Sequence, residues 1–291
     1  MFEGILTALV TPFRDGEVDE PALRALVERQ IEAGVNGVVP CGSTGESATL
    51  SHTEHRRVVE IVVEAAAGRI AVVAGAGSNS TREAVELTAH ARDAGADGAL
   101  LLSPYYNKPT QEGIYRHYAA IARETRFPLV VYNIPGRTAS NIAPETLARL
   151  AHLEHIVGVK ESSGDLDQIA HVVAMSPSDF AVVSGDDSLT LPLMSVGGKG
   201  VISTTANVVP ERMRELVEAW NAGDPQRARQ IHFQLLPLFD LLFCETNPIP
   251  VKAALELMGL IGGEIRLPLT PLGEANRERL QVALKDAGEL S

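Results

Sequence analysis

EAGVNGVV (residues 32–39), DAGADGALL (93–101) and SVGGKGVI (195–202) repeat one local pattern at three places in the chain. In each, a glycine closes a helical stretch, a second small turn follows, and a short apolar run begins at once. That is a helix handing over to a buried strand. Read outward from these joints, strand-like runs fall at Ile5 to Val10, Gly37 to Val39, Ile70 to Ala74, Gly98 to Leu102, Leu129 to Asn133, Ile156 to Lys160, Ala181 to Ser184 and Gly200 to Ser203. Helical patterns alternate with them at Pro21 to Ala33, Thr53 to Ala67, Thr81 to Ala94, Gln111 to Glu124, Pro144 to Leu150, Asp165 to Met175, Ser188 to Val196 and Pro210 to Asn221. About eight strand-helix units in succession predict a parallel sheet closed into a (β/α)8 barrel, an α/β fold. An open doubly wound sheet is the rival, but GAGSNS at 75–80 lacks the glycine spacing of a dinucleotide-binding first turn.

After Gly223-Asp224-Pro225 the alternation stops, and apolar helical patterns follow at Gln226 to Phe243, Pro248 to Met258 and Gly273 to Leu284. The expected organisation is a catalytic barrel at 1–223 and a helical region at 224–291.

Hydrophobic residues at 45% and charged residues at 21% place the chain among globular proteins rather than disordered ones. A formal net charge of -12 argues against nucleic acid or an anionic membrane as partner, since both call for a basic face. Cys41 and Cys244 are too few for a disulfide framework and fit a reducing compartment. With no signal-like start and no apolar stretch long enough to span a bilayer, the expected location is the cytoplasm.

A barrel enzyme keeps its chemistry at the carboxyl ends of the strands. Those ends read Thr11, then Ser43-Thr44-Gly45-Glu46, Tyr105-Tyr106-Asn107, Tyr132-Asn133 with Arg137, Lys160-Glu161, Gly185-Asp186-Asp187 and Thr204. Lys160, ending the run Ile156-Val157-Gly158-Val159, is the reactive candidate. An ordinary lysine has a pKa near 10.4, so about one in a thousand is an amine at neutral pH. Low dielectric disfavours the ammonium, and holding a lysine some 3 units lower costs about 4 kcal/mol. The free amine then forms a Schiff base with a ketone or aldehyde, and a phenol can carry protons for it. The bland alternative is a strand-end cation paired with Glu161 or Asp165. His52 and His55 could share a metal from one helix face, but no third ligand accompanies them, and no metal or cofactor is expected. CGSTGES at 41–47 lacks the G-x-S-x-G elbow of a serine hydrolase.

The strings LVTPF (9–13), GSTGE (42–46), SPYYNKPTQEG (103–113), YNIPGRT (132–138), GVKE (158–161), SGDD (184–187) and NPIPVK (247–252), in this order, resemble the pyruvate-dependent class I aldolase superfamily of dihydrodipicolinate synthases and N-acetylneuraminate lyases, and most resemble the synthases. The resemblance implies a lyase that joins pyruvate to L-aspartate 4-semialdehyde on the route to diaminopimelate and lysine. It makes Lys160 the Schiff-base residue and Tyr132 the proton carrier, oriented by Thr44 and by Tyr106 from across a tight dimer interface. Ser43 and Thr44 would grip the pyruvate carboxylate, Gly185 and Ile202 would line the pocket through their backbones, and Arg137 would hold the carboxylate of the aldehyde. It further implies a homotetramer built from two dimers. Ser47, Ala48, His52, His55, Asn79, Glu83 and Tyr105 match a site for L-lysine as feedback inhibitor at the dimer interface; without the family, the two histidines read as residues of an exposed helix start. Ser43 departs from the threonine of many synthases, though either hydroxyl donates the same hydrogen bond. A sugar-acid or neuraminate aldolase, and a retired barrel that only binds lysine, are the competing readings. Arg137 speaks against the first, because a planar guanidinium suits a carboxylate close to the reacting carbon. The intact set Lys160, Tyr132, Thr44 and Tyr106 speaks against the second.

Overall fold

The computed structural model describes residues 2–290. Its strands are β1 (Gly4–Ala8), β2 (Phe13–Arg14), β3 (Glu17–Val18), β4 (Gly37–Val39), β5 (Ala71–Gly75), β6 (Gly98–Leu102), β7 (Leu129–Asn133), β8 (Ile156–Glu161), β9 (Ala181–Ser184) and β10 (Gly200–Ser203). All but β2 and β3 form a closed barrel in the order β1-β10-β9-β8-β7-β6-β5-β4, with β1 paired in parallel to both β10 and β4. The expected α/β barrel is the fold observed. The helices between strands are α1 (Glu20–Glu32), α2 (His52–Ala66), α3 (Thr81–Asp93), α4 (Gln111–Thr125), α5 (Pro135–Thr138), α6 (Pro144–Ala151), α7 (Leu166–Met175), α8 (Thr190–Ser195) and α9 (Pro210–Asn221). Beyond them lie α10 (Pro225–Leu241), α11 (Ile249–Leu257) and α12 (Glu274–Asp286).

The repeated joints work as their sequence implies. Gly34 and Gly95 take φ of +74° and +91° directly after α1 and α3, a conformation that glycine adopts without a Cβ penalty. The residue before the second glycine then imitates a strand. Asn36 Oδ1 accepts from the Ile5 N–H at 2.8 Å while its own N–H donates to the Ile5 carbonyl, and Asp97 does the same to Val72. Each joint thus satisfies backbone groups at the amino-terminal mouth of the barrel.

Side chains alternate between two cores, as the pleat requires. Val131 and Val159 pack under the helices, whereas Leu6, Val39, Val73, Leu100, Val130, Tyr132, Val183 and Ile202 fill the barrel interior with Phe2 as a plug. Two expectations on element limits need adjusting. The Ser188 to Val196 segment is a 3-10 turn at Asp187–Leu189 followed by α8, because the ring of Pro192 tolerates only the first turn of a helix. The strand expected at Ile5 to Val10 leaves the ladder at Ala8, and the Val10 N–H donates instead to Asn207 Oδ1 at 3.2 Å. Among the described residues no helix is long and apolar enough to cross a membrane.

Candidate active site

Tyr132 and Lys160 are paired in register on the adjacent strands β7 and β8, and each follows a valine that faces the helices. Both side chains therefore point into the barrel at its carboxyl end. Lys160 is only 5% exposed, and its Nζ stands 4.5 Å from the centroid of the Tyr132 ring. Burial, the dominant influence, lowers the lysine to about 8. The nearby carboxylates of Asp186 and Asp187 limit the fall, and the Arg137 charge adds to it. The expected alternative of a Lys160–Glu161 pair is not formed. Glu161 takes Asn133 Nδ2 at 3.1 Å and the Ser163 N–H at 2.7 Å, while Asp165 caps α7. Burial also pushes the Tyr132 phenol well above the ordinary tyrosine range, with Asp186 adding to the rise, so it stays protonated and able to donate.

Thr44 lies in the turn after β4, buried, with Asn247 Nδ2 donating to its Oγ1 at 2.9 Å and Thr204 Oγ1 at 3.4 Å. The Thr204 position is set by Asp187, whose Oδ2 accepts from the N–H groups of Thr204 and Thr205 at 3.1 and 2.9 Å and from the Thr205 hydroxyl at 2.8 Å. Arg137 sits on the four-residue helix α5 and donates through Nη2 to the Asn247 carbonyl at 2.9 Å. A cavity of about 40 Å³ is lined by Ser43, Thr44, Tyr132, Arg137, Lys160, Gly185, Asp186, Thr204 and Asn247, among others. Ile202 is fully buried in the packed layer of the interior, and Thr204 is the residue of that strand end which reaches the cavity. Gly185 leaves room that nothing larger would: a Cβ there would stand 2.7 Å from Lys160 Cε.

A second cavity of about 480 Å³ shares Ser43, Tyr132, Arg137 and Asn247 with the first. Ser47, Ala48, His52, His55, Glu83 and Tyr105 line it, and Asn79 borders it by donating to the Tyr105 carbonyl at 3.2 Å. His52 Nε2 stands 3.3 Å from Glu83 Oε1, and Glu83 also accepts the Ser78 hydroxyl. His55 corrects the expectation of an exposed helix start. It is 7% exposed, its Nε2 donates to the Gly75 carbonyl at 2.9 Å, and burial lowers it to about 4, so it is a neutral imidazole. With Nε2 engaged there, the two histidines do not present a joint metal face. Tyr106 is not brought to Lys160 within this chain: it is 89% exposed, at φ +69° in the loop after β6.

Sequence reasoning missed Asn247 as part of this site, and it placed Asp187 and Thr204 at the strand ends without giving either a role. It also missed Lys252, fully buried on α11, whose Nζ meets Glu46 Oε1 at 2.5 Å just beyond Thr44. Three of them lie in the motifs SGDD and NPIPVK, which mark them as polar members among apolar neighbours without saying which residues they meet.

A model of the dihydrodipicolinate synthetase family matches residues 1–287. A 4-hydroxy-tetrahydrodipicolinate synthase of Nitratidesulfovibrio vulgaris is 59% identical over 290 residues, 99% of each chain. A chloride-inhibited dihydrodipicolinate synthase of Acinetobacter baumannii, solved with pyruvate, superposes with a TM-score of 0.98 at 49% identity over 100% of both chains. That of Cyanidioschyzon merolae, solved with lysine bound, does so at 0.97 and 43%, covering 99% of each. The chain belongs to the dihydrodipicolinate synthetase family of enzymes.

Proposed function

We propose that this protein condenses pyruvate with L-aspartate 4-semialdehyde to give 4-hydroxy-tetrahydrodipicolinate, serving the cytoplasmic synthesis of diaminopimelate and lysine without a cofactor. The observation that carries the reading is the buried amine of Lys160 beside the Tyr132 phenol, in a cavity whose rim holds the Arg137 guanidinium. Lys160 Nζ attacks the pyruvate ketone and water leaves, forming an imine. Loss of a methyl proton gives the enamine, whose carbon bonds to the aldehyde carbon while Tyr132 supplies a proton to the new alkoxide. The amine of the second substrate then attacks the imine carbon, closing the ring and freeing Lys160.

In this scheme Ser43 and Thr44 hold the pyruvate carboxylate, Gly185 and Thr204 wall the pocket, and Arg137 orients the carboxylate of the aldehyde. Thr44 orders the phenol together with Tyr106 of a second copy. The nearly full exposure of Tyr106, in a left-handed backbone that bulky residues avoid, supports its use across an interface rather than within one chain. The assembly is a homotetramer of two such dimers. L-Lysine inhibits from the outer cavity, its ammonium paired with Glu83, among Ser47, Ala48, His52, His55, Asn79 and Tyr105.

The test is an assay of purified protein with pyruvate and L-aspartate 4-semialdehyde, run beside retro-aldol cleavage of sialic and ketodeoxy sugar acids. Turnover of the first pair and none of the sugar acids is expected. The reverse pattern would replace this reading with a sugar-acid aldolase.

A further inference from the structure

Glu46 and Lys252 form an ion pair with no exposure to solvent to speak of, at 1% and 2% for the two side chains, joining residues far apart in sequence. Burying two charges is expensive, and such pairs are weak evidence for stability. Their local arrangement suggests what else they do. Glu46 closes the turn that carries Ser43 and Thr44, and its backbone lies in the left-handed region at φ +52° without being glycine. A strained residue of that kind persists only where its surroundings hold it. Here the hold is complete: Glu46 Oε1 takes Lys252 Nζ and Oε2 takes the Arg266 N–H at 3.1 Å. Lys252 also donates to the Thr11 carbonyl at 3.0 Å, and the Thr11 hydroxyl donates to the Gly45 carbonyl at 2.7 Å, so the turn is held at two successive residues, Gly45 and Glu46. The Phe13 ring lies over both cations, 4.3 Å from Lys252 Nζ and 4.1 Å from Arg266 Cζ.

We propose that Glu46 and Lys252 are positioning residues for the reaction, a buried clasp by which α11 fixes the 43–46 turn so that the Thr44 hydroxyl meets the proton-carrying phenol. The inference rests on the function proposed above. Neither residue touches substrate. The clasp acts on proton transfer through Thr44, and leaves imine formation at Lys160 to proceed.

Three variants test it: Glu46→Gln, the double variant Glu46→Gln with Lys252→Met, and Thr11→Val. Each is measured for Tm, for kcat and KM with both substrates, and for borohydride trapping of pyruvate. Misplacing a catalytic group by about 1 Å can cost on the order of 100-fold in rate. Expected for Glu46→Gln is a kcat loss between about 10-fold and that figure, with pyruvate still trapped to full stoichiometry. The double variant leaves no uncompensated charge, so its Tm returns to the parent value while kcat stays low. Thr11→Val, a neutral and nearly isosteric change, lowers kcat several-fold on its own, and it decides the matter if the charge variants fail to fold. Recovery of both Tm and kcat in the double variant, or an unchanged kcat in Thr11→Val, would overturn the proposal and leave the pair a stability element. Failure of the parent protein to trap pyruvate would instead strike the function itself.

Discussion

Lys160 Nζ lies over the face of the Tyr132 ring, 4.5 Å from its centroid, because residues 132 and 160 are partners in parallel register at the carboxyl end of the barrel. No loop adjustment is needed to bring amine and phenol together. The two strands deliver them, and the valines beside them lock both strands into the core beneath the helices.

The lowered lysine has a direct consequence for pH dependence. With the group at about 8, roughly a tenth is free amine at pH 7, and the fraction grows as pH rises through that value. The single-turnover rate of imine formation with pyruvate is expected to climb between pH 6 and 9 with a midpoint near 8. A midpoint in the ordinary lysine range would show that Lys160 is not desolvated in solution.

Arg137 is held to the Asn247 carbonyl at 2.9 Å yet remains exposed at the rim. Charge-assisted hydrogen bonds are worth about 1.5–3 kcal/mol, so Arg137→Ala should raise KM for L-aspartate 4-semialdehyde on the order of 10- to 100-fold. KM for pyruvate should change little. Steady-state kinetics with each substrate varied separately will tell, and an equal rise for both would remove the assigned role.

Gly185 is required by space. A methyl group there would collide with Ser162 Oγ and sit 2.7 Å from Lys160 Cε and 3.1 Å from its Cγ, so both side chains would have to move. Gly185→Ala should slow imine formation by on the order of 100-fold by turning the amine away, with an overpacking cost of about 1–3 kcal/mol in denaturant unfolding. An alanine variant with parental imine kinetics would mean that Lys160 has freedom the packing does not show.

Much of this was legible in sequence, and the reasons differ by residue. Lys160 and Tyr132 can be placed because each stands at the carboxyl end of an apolar run, where a parallel barrel gathers its polar residues. The burial of His55 is legible in helical spacing rather than in its neighbours: residues 55, 58, 59 and 62 recur on one face and all are buried on the inner side of α2. Asn247 and Lys252 could not be placed, because nothing local in the segment from 247 to 252 says that it folds back onto the turn after β4. That information lies in the packing of the last helices on the barrel. The β2–β3 hairpin is signalled in sequence only by its Asp15-Gly16 turn, because its two-residue strands are too short to show a run.

Glu83 allows the proposed regulation to be tested apart from the chemistry. It pairs with His52 in the outer cavity and has no contact with Lys160. Glu83→Ala should shift the lysine inhibition curve to concentrations at least about 10-fold higher, from loss of one charge-assisted bond, while the uninhibited rate holds. Titration calorimetry of the parent protein with millimolar lysine that releases no heat would dismiss the effector site altogether.

The most direct measurement is borohydride reduction in the presence of pyruvate, followed by peptide mass spectrometry. A reduced pyruvyl adduct on Lys160 is expected, and none in Lys160→Arg. An unmodified Lys160 under conditions where the parent protein is folded, or an adduct on another lysine, would contradict the Schiff-base account.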